Sequence, residues 1–224
     1  MNLNIYQCYY DDSQKSELSD QFIPYNNAGD EYYMFREYIL WKRIYHKHFK
    51  DDSYWGLLSW RWNEKTRLDP KEFVTWINNN PGYDMYYFDP SLETITHRNL
   101  WTQGEPWHPG MIGFCNRLLE KLGTNLSIYD IEYKSKHFAC SSFFVGNYKF
   151  WSEYLIFVNE VITLCLFDKD LKRYMFDTSK QYNGVDIPFF CFVIERLFSL
   201  YYFLYEDKCN FLKFPVTHSC YENK

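Results

Sequence analysis

The 224-residue chain reads as an α/β protein with a mixed, mainly parallel sheet flanked by helices and a helix-rich C-terminal half. Three observations predict this. Strand-length apolar runs alternate with helix-length segments through the first hundred residues, the order expected of parallel strands joined by helices. The run Tyr54 to Trp60 is apolar at successive positions, as in a strand covered on both faces. The longest apolar segments fall late in the chain and have helix length.

Leu3 to Tyr10 is the first expected strand, stopped by Asp11-Asp12-Ser13-Gln14-Lys15. A loop follows, ending in the turn-rich Pro24-Tyr25-Asn26-Asn27-Ala28-Gly29-Asp30. Glu31 to His48 places Tyr33, Phe35, Ile39, Leu40 and Ile44 on an approximate helical stripe, with Asp30 as N-cap; His46 and His48 are expected on its exposed side. After the strand Tyr54–Trp60, Arg61 to Thr66 reads as a polar loop. Asp69-Pro70 opens a helix to about Asn78, the acid capping and the proline filling the first turn. Asn79-Asn80-Pro81-Gly82 turns the chain into a strand from Tyr83 to Phe88, stopped by Asp89-Pro90. His108-Pro109-Gly110 leads into a helix from about Met111 to Leu122, closed by Gly123. Ser141 to Val145 is a short strand, and Tyr148–Phe167 and Pro188–Glu206 are the last helices.

A chain of this length fits one domain and can bury a core without a disulfide or metal. With 46% apolar and 24% charged residues it has a globular composition. The net charge of −5 argues against a nucleic-acid partner, which needs a basic footprint. The seven cysteines are odd in number, form no CxxC pair and follow no secretory leader, so buried free thiols and a cytoplasmic location are expected. Ile187 to Tyr205 is the most apolar segment; Glu195 and Arg196 at its centre favour a buried helix over a membrane span, and no other segment is expected to reach span length. Aromatic content is the outlier, with 22 Tyr, 20 Phe and 8 Trp: either a core packed with rings or rings lining a site for a sugar or base.

In open α/β sheets, ligands bind outside the carboxyl ends of the strands. That rule brings forward the loops after Tyr10, Trp60 and Phe88. Arg61 and Lys65 carry the charges to meet a diphosphate, the first by its fork and the second as a point charge. Asp84 and Asp89 bracket a strand and read either as general base or metal ligand, or as turn formers. The stretch Trp101 to Gly110 has the look of a sugar-binding loop: Trp101 and Trp107 could stack on a sugar, Glu105 is an acid, and His108 is a proton carrier or a helix cap. Trp60 and Trp62 flank the Arg61 loop as further stacking candidates. Glu195 and Arg196 form a structural ion pair, or one of them faces the site. The chain contains no P-loop, GxGxxG, GxSxG or HExxH pattern, against a kinase, dehydrogenase, serine hydrolase or zincin.

Four stretches then carry a resemblance. They are Phe22-Ile23-Pro24-Tyr25-Asn26-Asn27; Tyr38-Ile39-Leu40-Trp41-Lys42; Asp52-Ser53-Tyr54-Trp55-Gly56-Leu57-Leu58-Ser59-Trp60-Arg61-Trp62; and Pro188-Phe189-Phe190 with Ile194-Glu195-Arg196-Leu197-Phe198. In this order they resemble small bacterial glycosyltransferase-type proteins of surface-polysaccharide synthesis with a GT-A-like fold. The resemblance implies a nucleotide-sugar donor, a glycan or glycolipid acceptor and a cytoplasmic site of action, with a peripheral membrane contact left open. Residues 1–100 would bind the donor, with Asn26, Asn27 and Asp30 at the nucleotide; residues 101–224 would form a helical acceptor side. Asp84, Asp89, Glu105 or His108 would activate the acceptor hydroxyl. GT-A enzymes usually hold Mn²⁺ or Mg²⁺ on an Asp-x-Asp after the strand matching Tyr54–Trp60. Here that place reads Ser59-Trp60-Arg61, without a carboxylate, so Arg61 and Lys65 are expected to take the metal's role. A non-catalytic carbohydrate-binding or scaffold protein on the same fold is the alternative. A glycoside hydrolase would need two carboxylates at a set separation.

Overall fold

The computed structural model describes residues 1–29, 37–90, 96–182 and 185–215. The strands are β1 (Leu3–Tyr9), β2 (Ile23–Asn26), β3 (Tyr54–Ser59), β4 (Met85–Tyr87), β5 (Phe144–Gly146), β6 (Thr178–Tyr182), β7 (Val185–Pro188) and β8 (Phe211–Lys213). The helices are α1 (Glu37–Lys47), α2 (Trp62–Thr66), α3 (Pro70–Asn79), α4 (Leu100–Gly104), α5 (Met111–Lys121), α6 (Tyr148–Phe167), α7 (Lys169–Phe176) and α8 (Phe189–Leu204). Six strands form one sheet in the order β2-β1-β3-β5-β4-β8; β6 and β7 form a separate hairpin. β1 runs parallel to β2 and β3, and β4 parallel to β8. Only β5, antiparallel to both β3 and β4, reverses direction, so the carboxyl ends of the other five strands share one edge.

The two-residue period of the strands sorts the core onto two faces. Tyr6, Cys8, Trp55, Leu57, Met85, Tyr87 and Phe144 meet α1, α4, α5, α6 and α8 in the larger apolar cluster. Ile5, Leu58, Tyr86, Phe88, Phe143 and Val145 meet Trp62 of α2 and Phe73 and Ile77 of α3 in the smaller one. Helices thus cover both faces, which is why β3 reads as a continuous apolar run. Trp55 on β3 stacks on Trp151 of α6 with ring centres 3.8 Å apart, and the Trp151 indole N–H donates to the Trp55 carbonyl at 2.8 Å. Gly56 is fixed by the β5 backbone: a Cβ there would lie 2.4 Å from the Phe144 carbonyl oxygen.

Local signals place the helix starts. Asp69 accepts from the Lys71 N–H with Pro70 in the first turn of α3, and Asn147 accepts from the Phe150 N–H to start α6. Elsewhere the structure departs from the sequence reading. Arg61 to Thr66 and the stretch from Leu100 to Gly104 are short helices rather than loops, because Trp62 and Trp101 anchor them in the core with no exposed surface. The first helix is described from Glu37; Asp30 lies outside the described residues. β2, α7, the β6–β7 hairpin and β8 add to the expected elements. His48 is buried rather than exposed, bonded to the Tyr6 hydroxyl at 2.8 Å on one side and to Asp51 at 2.7 Å on the other. Tyr148–Phe167 does reach span length and hydropathy, contrary to expectation; half of its apolar window is buried, where α6 packs on α1, β5 and α8. The six described cysteines are unbridged thiols, four of them buried.

Candidate functional site

A cavity of ≈ 40 Å³ opens at the carboxyl edge of β1 and β3. Its lining comes from distant parts of the chain: Cys8 and Tyr10 after β1, Ser59 closing β3, Lys65 on α2, and Glu37 at the start of α1. Ser141 and Ser142 lead into β5, and Glu195 reaches in from the middle of α8. Because β5 is reversed, it presents its amino end to an edge where its neighbours present carboxyl ends.

Ser141 and Ser142 have φ of +69° and +57°, two successive non-glycine residues in the left-handed region. Each costs about 1 kcal/mol or more relative to ordinary backbone, and such strain gathers at functional sites. The other left-handed non-glycines have simpler uses: Arg67 closes α2, and Lys50 lies in the turn after α1. The Lys65 ammonium donates to the Ser141 hydroxyl at 3.3 Å and sits 5.8 Å from the centre of the Phe143 ring. Among the described residues no side chain donates to the half-buried Glu195 carboxylate, and no cation lies within ion-pair distance of it. Cys140 borders this charge cluster. Burial pushes its thiol up, Glu195 and Asp89 add to the rise, and Arg196 and Lys65 oppose it.

Arg196 forms no pair with Glu195. Its guanidinium is buried and donates to the Leu100 carbonyl at 3.0 Å, the Phe192 carbonyl at 2.7 Å and the Gln103 side chain at 3.2 Å. The two adjacent charges have separate tasks: Arg196 ties α8 to α4, and Glu195 faces the cavity.

The remaining sequence candidates are dispersed. Asp84 stands at the amino end of β4, the far edge of the sheet, where it accepts from Asn147 at 2.9 Å and pairs with Lys149 at 2.7 Å. Asp89 follows β4 at the correct edge; it is buried and paired with Lys213 at 3.3 Å. Burial lowers the Lys213 pKa and Asp89 opposes that fall, while its ammonium also donates hydrogen bonds to the Ser135 and Phe138 carbonyls. Glu105 accepts from the backbone N–H groups of Gly110 at 2.9 Å and Ile112 at 2.7 Å, so it caps α5. His108 is buried and stacks on Phe192 at 3.6 Å. Arg61 is forked onto Glu64 at the surface and does not line the cavity.

Trp62 and Trp101 have no exposed ring on which a sugar could stack; Trp107 is 70% exposed and Trp60 half-buried, and neither lines the cavity. Asn26, the last residue of the edge strand β2, caps a turn through the Ala28 N–H, and the Asn27 N–H that follows donates to the Tyr9 carbonyl; neither lines the cavity. Of the residues lining the cavity, the sequence candidates include Lys65 and Glu195 but not Tyr10, Glu37, Ser59, Ser141 or Ser142. The Ser141-Ser142 pair falls at the start of the strand expected from Ser141 to Val145; the strand begins instead at Phe144.

No known protein family, curated protein or solved structure matches the chain.

Proposed function

We propose that the protein is a glycosyltransferase that moves a sugar from a nucleotide-sugar donor to a glycan or glycolipid acceptor, on a GT-A-like version of its mixed sheet. The observation that carries this reading is the juxtaposition of Lys65, the strained Ser141-Ser142 pair and Glu195 at the carboxyl edge of the parallel strands. A cation and hydroxyl groups beside a carboxylate suit a leaving diphosphate and an incoming hydroxyl respectively. The cavity takes a group of water or hydroxyl size. The donor would lie across the strand ends above it. Lys65 then meets the diphosphate charge, with Arg61 left to its surface partner Glu64. The cytoplasm, where nucleotide sugars are made, is the compartment that fits.

A thermal-shift screen of UDP-, GDP-, CMP- and dTDP-sugars, with and without Mn²⁺, tests the reading, because a ligand selective for the native state raises the melting temperature. One donor class should stabilise the protein, and Lys65→Ala should weaken it about 10- to 100-fold, the worth of a hydrogen bond to a charged group. No stabilisation by any class refutes the reading. The small cavity favours one alternative, a non-catalytic carbohydrate-binding or scaffold protein. Such a protein would release no nucleotide (a nucleoside diphosphate, or CMP from a CMP-sugar) from a donor it binds.

A further inference from the structure

We propose that a groove between α6 and the end of α8 binds a linear aliphatic diammonium ion of the polyamine type, one ammonium toward each end. The groove has a volume of ≈ 320 Å³, at the lower end of the range for small-molecule sites. Glu153, Ile156, Phe157 and Glu160 of α6 form one wall, and Tyr201, Tyr205 and Lys208 the other. The strand-edge cavity shares no residue with it.

Helix geometry sets the spacing of the acids. Glu153 and Glu160 are two turns apart on α6, so they face the same way with about 10 Å between their Cα atoms. Between them lie Ile156, 68% exposed, and the buried Phe157. An acid, an apolar stretch and a second acid in line match an ammonium, a methylene chain and a second ammonium. Neither acid has an ion-pair partner among the described residues. Two carboxylates disfavour an anionic ligand, and a purely apolar one would leave both charges unused.

The facing wall also suits cations. The ring centres of Phe157 and Tyr201 lie 5.4 Å apart and those of Tyr201 and Tyr205 5.2 Å apart, a continuous aromatic surface beside the acids. Aromatic faces attract ammonium groups, and the chain already supplies an example: the Lys208 ammonium lies 5.5 Å from the centre of the Tyr205 ring. Tyr201 is only 4% exposed, yet it lines the groove and its hydroxyl makes no well-formed hydrogen bond among the described residues. Burial, then Cys209 and Glu153, raise the Tyr201 pKa; burial, then Glu160, raise that of Tyr205. Both phenols therefore stay protonated at neutral pH, one near each acid, and each oxygen can accept from an ammonium.

Isothermal titration calorimetry of the intact protein at low ionic strength tests this with spermidine, octamethylenediamine, putrescine and octylamine. Octamethylenediamine and putrescine carry the same charge and differ in length; octylamine has the longer chain and a single charge. Spermidine and octamethylenediamine should bind saturably at one site, and octamethylenediamine should bind at least about 3-fold tighter than putrescine or octylamine. Glu153→Gln and Glu160→Gln should each weaken octamethylenediamine by about 3- to 5-fold, the upper range for an exposed ion pair. Glu17→Gln, which removes the same charge from an exposed position outside the groove, should change nothing. Lys208→Ala should tighten binding by about 2- to 5-fold, because it takes a competing ammonium off Tyr205. Damage to the fold would not tighten binding. Each variant should melt as wild type without ligand; were one acid variant to unfold, the other and Lys208→Ala carry the same comparison. Absence of saturable binding by any of the amines overturns the proposal, as does octylamine or putrescine binding as tightly as octamethylenediamine. So does weakening by Glu17→Gln equal to that by the groove acids, or weaker binding in Lys208→Ala.

Discussion

Replacing Glu105 by alanine separates a structural acid from a catalytic one. Both carboxylate oxygens accept from backbone N–H groups at the start of α5, Gly110 at 2.9 Å and Ile112 at 2.7 Å. Gly110 itself has φ of +106°, so the chain turns sharply into the helix and leaves these donors pointing at one side chain. Losing a helix cap costs about 1 kcal/mol, removing an acid from a helix amino terminus adds up to about 1 kcal/mol, and stranding a half-buried donor adds a similar amount. The sum is about 2–3 kcal/mol. For a chain of this size that lowers the melting temperature by about 5–10 °C. Glu105→Gln keeps one neutral acceptor and should lose about half as much. Urea unfolding followed by far-UV circular dichroism gives the free energies, and donor turnover measured well below the new melting temperature gives the activity. The expected pattern is reduced stability with turnover retained. A Glu105→Ala protein as stable as wild type and without turnover would refute the capping argument and return Glu105 to the list of candidate bases.

Two further outcomes follow from the same geometry. Gly56→Ala should cost about 3 kcal/mol or leave the protein insoluble, because the new methyl meets the β5 backbone rather than a side chain that can swing away; a melting temperature within 2–3 °C of wild type (roughly 1 kcal/mol) would contradict it. Asp168 is held well below the usual aspartate range, first by Arg117 and next by the Leu171 N–H. A group with a depressed folded pKa adds stability above its unfolded pKa and loses it as pH falls through the folded one. Wild-type urea midpoints should therefore fall steeply below about pH 4, the ordinary aspartate range, and Asp168→Asn should start lower at pH 7 with a shallower fall. Parallel curves for the two proteins would rule this out.

How much of this was legible in the sequence depends on the length over which a pattern had to be read. α6 and α8 carry sustained apolar character, and Asp69-Pro70 signals the start of α3 by local chemistry, so all three survive comparison with the structure. β8 spans three residues, Phe211–Lys213, too few for a period to register. Trp62 misled because its neighbours Asn63, Glu64 and Lys65 are polar; one ring facing inward turns an apparent loop into a helix. In the candidate site, the strand-edge rule pointed to Lys65, and the cost of a charge inside an apolar helix pointed to Glu195. Glu37 and the two serines come from segments far apart in sequence; α1 carries the first to the cavity, and the reversed β5 carries the serines to Lys65.

The placement of β5 also constrains how the chain is made. β4 touches neither β1, β2 nor β3; its partners are β5 and β8, so Met85 waits for Gly146 and Phe211. A ribosome that has released the first hundred residues has exposed an apolar β3 with one unpaired edge and a β4 with no strand beside it, both open to pairing with other chains. The sheet closes only when the last of its strands emerges. Stop codons anywhere before residue 211 should therefore yield aggregates rather than a working amino-terminal half.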